Sequence, residues 1–175
     1  MGAMSTGPDA PSPDAALEAA VRVERFAGID TRTLYGVLKL RSDVFVVEQE
    51  CLFLDLDGRD LEPATLHLWI DTRDAAPASY LRVVDDGGSL KIGRVVTAPV
   101  ARGRGLGAVL LRRALVAIAA DGAGGDGRPV VLDAQSHLAG WYARFGFERS
   151  GEDFVEDGIT HTPMRLAAFS PSAGP

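Results

Sequence analysis

Residues 95–115 read VVTAPVARGRGLGAVLLRRAL. Gly103, Gly105 and Gly107 are interleaved with Arg102 and Arg104 and run straight into an apolar helical stretch. Glycine tolerates left-handed backbone, so a loop of this kind can turn successive N–H groups into one concavity. The helix that follows adds the partial positive charge of its N-terminus, and the arginines add charge-assisted contacts at the rim. The stretch reads as a seat for an anion, and which anion it holds decides the fold.

On its N-terminal side, VRVERF (Val21–Phe26) alternates as a strand. Asp30–Gln49 follows with helical spacing at Leu34, Val37, Leu38 and Arg41, then at Phe45 and Gln49. This predicts one helix running into a shorter second one, with Asp30 or Thr31 as N-cap. CLFLDLDGRD (Cys51–Asp60) is expected to be a loop, and LHLWIDT, ASYLRVV and LKIGRVVTA three strands. Beyond the glycine loop, a helix is expected within residues 103–120, a flexible connector at GAGGDGR, and a buried strand at PVVLDA. A short helix, SHLAGWYARF, should stop at Gly146, and EDFVEDGITHTPMRLA should form a hairpin turning at Asp157-Gly158. Hairpins mixed with helical crossovers imply a central mixed sheet with helices on both faces.

A chain of 175 residues suits one domain. The expected layout is a disordered tail over residues 1–20, poor in groups able to form a core, a single domain over 21–168, and a C-terminal tail over 169–175. The net charge of -6 opposes binding to nucleic acid or acidic membranes, so the loop arginines act locally. No segment has the length and apolarity of a membrane span, and the N-terminal residues have neither the basic start nor the apolar core of a signal peptide. Cys51 is the single cysteine, which suits a reducing compartment, and the cytoplasm is the expected location.

Two templates compete for the loop. Gly103, Gly105 and Ala108 match G-x-G-x-x-A, the dinucleotide fingerprint, and Asp133 mimics its ribose-binding acid. However, Pro99–Arg102 separate the strand from the first glycine, and too little chain follows for further βα units of roughly 30 residues each. A Walker A loop is excluded because no Gly-Lys-Ser/Thr follows. The second template, Q/R-x-x-G-x-G/A, is met by Arg102-Gly103-Arg104-Gly105-Leu106-Gly107. A second, distant segment, AQSHLAGWYARFGF (Ala134–Phe147), resembles N-x-x-A-x-x-x-Y-x-x-x-G-F, with Tyr142 at the tyrosine, Gly146-Phe147 at the end and Gln135 where Asn is usual.

Together these motifs and their place in the element order resemble the GNAT N-acetyltransferase superfamily. A closer resemblance, to its ElaA-like branch, runs from about Tyr35 to Met164 through LYGVLKLRSDVFVVEQEC, DLDGRDLE, HLW, YLRVV, IGRVV and EDGITH. CLF and GITH depart from Cys-Pro-Tyr and Gly-Ile-Pro-His, both on the acceptor side. The resemblance implies an α/β (α+β) fold with a mixed, mostly antiparallel sheet of about seven strands. It implies an enzyme that moves the acetyl group of acetyl-CoA to a primary amine of a small molecule or peptide, by direct attack in a ternary complex. The rival is an acyl-CoA-binding sensor or scaffold without turnover.

The same resemblance assigns residues. Val95, Val96 and Thr97 would face acetyl and pantetheine through their backbone, with an amide near Val95 as oxyanion donor. Arg102, Gly103, Arg104, Gly105, Leu106 and Gly107 would seat the pyrophosphate, and the Gln135 amide would meet the pantetheine arm. Tyr142 would protonate the leaving thiolate, since an ordinary tyrosine pKa of about 10 keeps it protonated at neutral pH. For the general base, Glu48, His67, Glu156 and His161 are open candidates, with Glu48 alternatively a partner of Arg41; a base is dispensable if the amine arrives neutral. His137 suits capping as well as binding. No metal is expected: Asp55–Asp60 hints at a calcium loop, but its glycine is early and Leu66 stands at the twelfth position, and no His/Cys spacing fits zinc. Cys51 reads as a buried or loop thiol. A free sheet edge beside the active cleft could support a homodimer.

Overall fold

The computed structural model describes residues 13–72, 74, 76–120 and 127–166; most of the GAGGDGR connector, the first twelve residues and the C-terminal tail lie outside them. Helix α1 (Pro13–Ala19) leads into strand β1 (Arg22–Arg25). Helix α1 falls on residues that composition alone assigns to a disordered stretch. Leu17 of α1 packs against the main core, a tertiary contact that residue composition does not register.

Helix α2 (Thr31–Arg41) starts at Asp30, whose carboxylate accepts from the backbone N–H of Arg32 and Thr33. It continues without a break into a run of π-helix, Ser42–Glu48, in which Gln49 N–H reaches back five residues to Val44. The expected second helix is thus a widened continuation of the first. Strands β2 (Leu66–Asp71), β3 (Pro77–Asp85) and β4 (Leu90–Thr97) form an antiparallel meander. Helix α3 (Leu106–Ala120) crosses over to β5 (Val130–Gln135), and a 3-10 turn leads to the short α4 (Ala139–Ala143). Strands β6 (Glu148–Arg149), β7 (Phe154–Glu156) and β8 (Ile159–Leu166) close the chain, with Asp157 and Gly158 both left-handed at the hairpin turn.

The eight strands form one sheet in the order β1-β2-β3-β4-β5-β8-β6, with β7 paired to β8. The mixed, mostly antiparallel architecture matches the expectation; the strand beyond the expected seven or so is the two-residue β6, too short to show a period. Central strand β3 is buried on both faces. Leu81 and Val83 pack with the α3 side chains Leu110, Leu111 and Ala114, whereas Tyr80 packs with Val37, Leu40 and Val44 beneath α2.

Two departures from regular pairing place the site. Strands β4 and β5 run parallel but pair only at Leu90↔Val130 and Lys91↔Val131, after which they splay. Opposite Leu81, β4 carries a bulge, with Arg94 at φ 55, that bends the strand away from the sheet plane. From Ile92 onward the β4 edge facing β5 has no partner strand, so a wedge opens through the sheet.

Candidate active site

The wedge is a cleft of about 530 Å³. Its β4 wall is Ile92–Val95, its β5 wall Leu132, Asp133 and Gln135, and Leu138 and Tyr142 come from the α4 region. Over it lie Phe45 and Gln49 of the π-helical run, Cys51, Phe53 and Leu54 of the following loop, and Glu156, Asp157, Ile159 and His161 of the β7–β8 hairpin.

Tyr142 is 6% exposed, and its ring packs edge-on to Trp141 and Phe147. Burial pushes its hydroxyl pKa up to about 12, so the group holds its proton throughout the neutral range. No side chain or carbonyl among the described residues hydrogen-bonds that hydroxyl. The hydroxyl is not among the fully buried atoms without a partner, so it opens onto the cleft and is available to whatever enters it.

The glycine loop follows β4 through the turn Pro99–Ala101 and leads into α3, and its residues lie outside the cleft lining. Gly103 and Gly105 both have φ 75, and a Cβ built on either meets nothing within 4 Å. The conformation that glycine permits thus faces open space, which is the cradle a phosphate needs. Ala108 and Val109 donate to the Gly105 carbonyl, leaving the N–H groups of Leu106 and Gly107 ahead of the helical ladder. The Leu106 side chain is buried in the core, so only its backbone is offered. Arg104 is exposed at the rim.

The remaining expected cofactor contacts divide. Val95, Gln135 and Tyr142 line the cleft, and Gln135 Nε2 donates to Gln49 Oε1 at 3.2 Å. The Val96 side chain is buried with Trp69 and Tyr80, and the Thr97 hydroxyl is 2.8 Å from Ser79 Oγ, so both residues can serve only through their backbone.

The base candidates are separated. His161 lines the cleft, stacked on Phe154 at 5.7 Å, with Nδ1 3.0 Å from the Ile159 carbonyl. A carbonyl only accepts, so Nδ1 carries a hydrogen, which leaves Nε2 as the acceptor of the neutral ring. Glu48 instead accepts from Arg102 Nη2 at 2.8 Å, outside the cleft lining. Its alternative partner is excluded, because Arg41 bonds Asp55 and Asp60. His67 is buried between the Tyr80 hydroxyl at 2.8 Å and the Asp60 carbonyl at 3.1 Å, and burial lowers its pKa, as suits a core histidine. Glu156 lines the cleft, and His137 is exposed outside it. Cys51 is buried and its thiol is pushed up by burial and by the Asp157 and Glu156 charges, the reverse of an activated nucleophile.

The unforeseen feature is a buried ionic network under the loop that carries Cys51 and Phe53. Arg41 of α2 is fully buried and bonds Asp55 and both oxygens of Asp60. Arg82 of β3 reaches Asp60 and both oxygens of Asp57. Arg94, at the bulge, lies 2.7 Å from Asp55 Oδ1 as an ion pair not aligned for a hydrogen bond, and 4.9 Å above the Phe53 ring. The DLDGRD segment is a clamp for three arginines, and among the described residues no group of His, Cys, Asp and Glu could hold a metal ion. No helix of the described residues is long and apolar enough to cross a membrane.

Comparison with known proteins agrees with this geometry. The acetyltransferase (GNAT) domain family matches residues 58–168. Protein ElaA of Escherichia coli is 38% identical over 133 residues, 75% of this chain and 85% of the relative. UPF0039 protein Rv2851c of Mycobacterium tuberculosis is 44% identical over 140 residues, 78% and 85% of the two chains. An acyl-CoA N-acyltransferase from Pseudomonas aeruginosa superposes with a TM-score of 0.77 at 41% identity, covering 84% of this chain and 98% of the other. The crystal structure of E. coli ElaA gives 0.76 at 32%, covering 83% and 98%.

Proposed function

The chain belongs to the GNAT acetyltransferase family, in its ElaA-like branch, and from that premise we propose that it is an N-acetyltransferase. It moves the acetyl group of acetyl-CoA to a primary amine by direct attack in a ternary complex. The observation that carries the reading is the Tyr142 hydroxyl, without a partner among the described residues, on a buried side chain that lines the same cleft as the open β4 edge. A protein that only bound a thioester would have no use for a proton donor held there.

When bound, acetyl-CoA supplies the activated acetyl thioester. Arg102, Arg104 and the N–H groups from Gly103 to Gly107 hold its pyrophosphate at the start of α3. The β4 backbone from Val95 to Thr97 lines the pantetheine path, and Gln135 offers its amide from the β5 side. The Val95 amide, on a strand fixed by β3, stabilises negative charge developing on the acetyl oxygen without having to reorganise. His161 Nε2 takes the proton of the attacking amine, and Tyr142 gives its own to the departing sulfur. Glu48 serves the phosphate end through Arg102 and is not the base.

The test is CoA release from acetyl-CoA with a panel of amines, for the wild type and Tyr142→Phe. The variant keeps the ring and its packing, so acetyl-CoA affinity should stay within about threefold while turnover falls by roughly 10²–10³. A variant turning over within about threefold of wild type would reduce Tyr142 to packing. Acetyl-CoA binding with no amine acetylated would favour a binding module.

A further inference from the structure

The acceptor end of the cleft carries unbalanced charge. Both of its cations are already paired: Lys91 Nζ lies 2.7 Å from Asp133 Oδ2, and Arg94 sits on Asp55 and Asp57. The other carboxylates lining it, Glu156 and Asp157, have no ion-pair or hydrogen-bond partner for their side chains among the described residues. Their turn is held in place. Glu156 pairs with Ile159 across the hairpin, and the buried Cys51 thiol donates to the Asp157 carbonyl at 3.6 Å. Both residues are exposed at the cleft mouth, and their charges act, after burial, to raise the pKa of the Cys51 thiol beside them.

Phe45, Phe53, Leu138 and Ile159 give the cleft its apolar surface, alongside the polar side chains of Gln49, Gln135 and His161. The Tyr142 side chain is nine-tenths buried and lines the same cleft, and its hydroxyl, open to the cleft and without a partner among the described residues, marks the cleft as a ligand position. The reacting nitrogen must be neutral when it attacks, so it cannot balance the two carboxylates at that moment. A second, non-reacting cation can. A carboxylate on the acceptor, by contrast, meets no unpaired cation in the cleft and adds to the repulsion.

Resting on the acetyl-transfer reading, we infer that the acceptor is a small-molecule diamine: a primary amine joined by an apolar stem to a second cationic group, which Glu156 and Asp157 hold at the cleft mouth. The reaction forms an amide at one nitrogen, breaks the thioester bond, releases CoA as the thiol, and leaves the second cation unchanged.

Three amines of one length separate the terms: cadaverine, n-pentylamine and the five-carbon ω-amino acid, each assayed by CoA release at fixed acetyl-CoA. Cadaverine should exceed n-pentylamine in kcat/KM by about tenfold, mostly through KM, and the ω-amino acid should be poorest. The preference should shrink as salt rises. In the Glu156→Gln/Asp157→Asn variant it should fall to within about threefold, and the salt dependence of the wild type reports the same term should that variant misfold. Equal kcat/KM for cadaverine and n-pentylamine, or a preference insensitive to both salt and the substitutions, overturns this inference alone. No turnover with any amine while acetyl-CoA still binds overturns it together with the acetyl-transfer reading.

Discussion

Glu48→Gln should tighten acetyl-CoA binding. Arg102 Nη2 lies 2.8 Å from Glu48 Oε2, with the two side chains 46% and 40% exposed. To serve the pyrophosphate, the guanidinium must exchange this carboxylate for phosphate. An ion pair so exposed contributes about 0.2–1 kcal/mol. Removing the competing charge should therefore improve affinity by roughly 1.4- to 5-fold. Arg102→Ala removes a charge-assisted bond of about 1.5–3 kcal/mol but also the need to open the ion pair. The net loss is then about 0.5–2.8 kcal/mol, or roughly two- to hundredfold. In the Arg102→Ala background Glu48→Gln should have no effect. The assay is calorimetry at low salt with acetyl-CoA and with a pantetheine fragment lacking phosphates, on which both substitutions should be silent. Weaker acetyl-CoA binding in Glu48→Gln, equal changes for both ligands, or a gain persisting without Arg102 would refute the exchange. A lower kcat with unmoved cofactor affinity in the same variant would instead make Glu48 a general base and overturn its assignment to the phosphate end.

Gly105→Val should leave the fold intact, since a Cβ there meets no atom of the chain. It should nevertheless cost more than tenfold in acetyl-CoA affinity, because a branched side chain disfavours φ 75 and intrudes on the phosphate cradle; unchanged affinity in a folded variant would remove the cradle from that position. Asp57 carries a stability prediction. Burial pulls its pKa upward, but the Arg82 guanidinium outweighs it and the net value falls from 3.8 to about 2. A carboxylate with a depressed folded pKa stabilises above its unfolded value and loses that contribution as pH falls towards the folded one. Asp57→Asn should thus cost about 2 kcal/mol at neutral pH and remove part of the loss seen between about pH 4 and pH 2. Urea unfolding at both pH values checks it, and identical pH dependence in the two proteins would contradict the assignment.

What the sequence disclosed was local. The glycine loop is legible because its cause lies within six residues: alternating glycines, two arginines and a helix start. Asp30 as a cap and Asp157-Gly158 as a turn are legible for the same reason. The wedge is not, because it arises where β4 and β5, joined through a long crossover, cease to pair after two residues, and no period in either strand marks that point. The Glu48–Arg102 contact spans 54 residues, and nothing near either residue in the sequence selects the partner. Tyr142 was found through its register with Gly146-Phe147; its lack of a partner is visible only in three dimensions.

The DLDGRD segment is legible in the sequence as a loop, but its role is not. Along Leu52–Asp57 the side chains alternate in an inverted sense. Leu52, Leu54 and Leu56 are exposed at 87%, 76% and 56%, while Asp55 is buried and Asp57 turns toward Arg82 and Arg94. A rule that puts apolar residues inside reads this alternation backwards. The carboxylates turn inward because Arg41, Arg82 and Arg94, from α2, β3 and β4, converge beneath the loop. Such a network is weak evidence for stability, since desolvation opposes most of its Coulombic gain. What it does supply is direction: fork-shaped donors meeting carboxylates fix the loop in one pose, which burial of leucines would not. The loop wall of the cleft is therefore held by ion pairs at Asp55, Asp57 and Asp60, and the proposed phosphate seat by glycine dihedrals at the start of α3. With separate supports, the acceptor wall can change its chemistry while the cofactor end keeps its own.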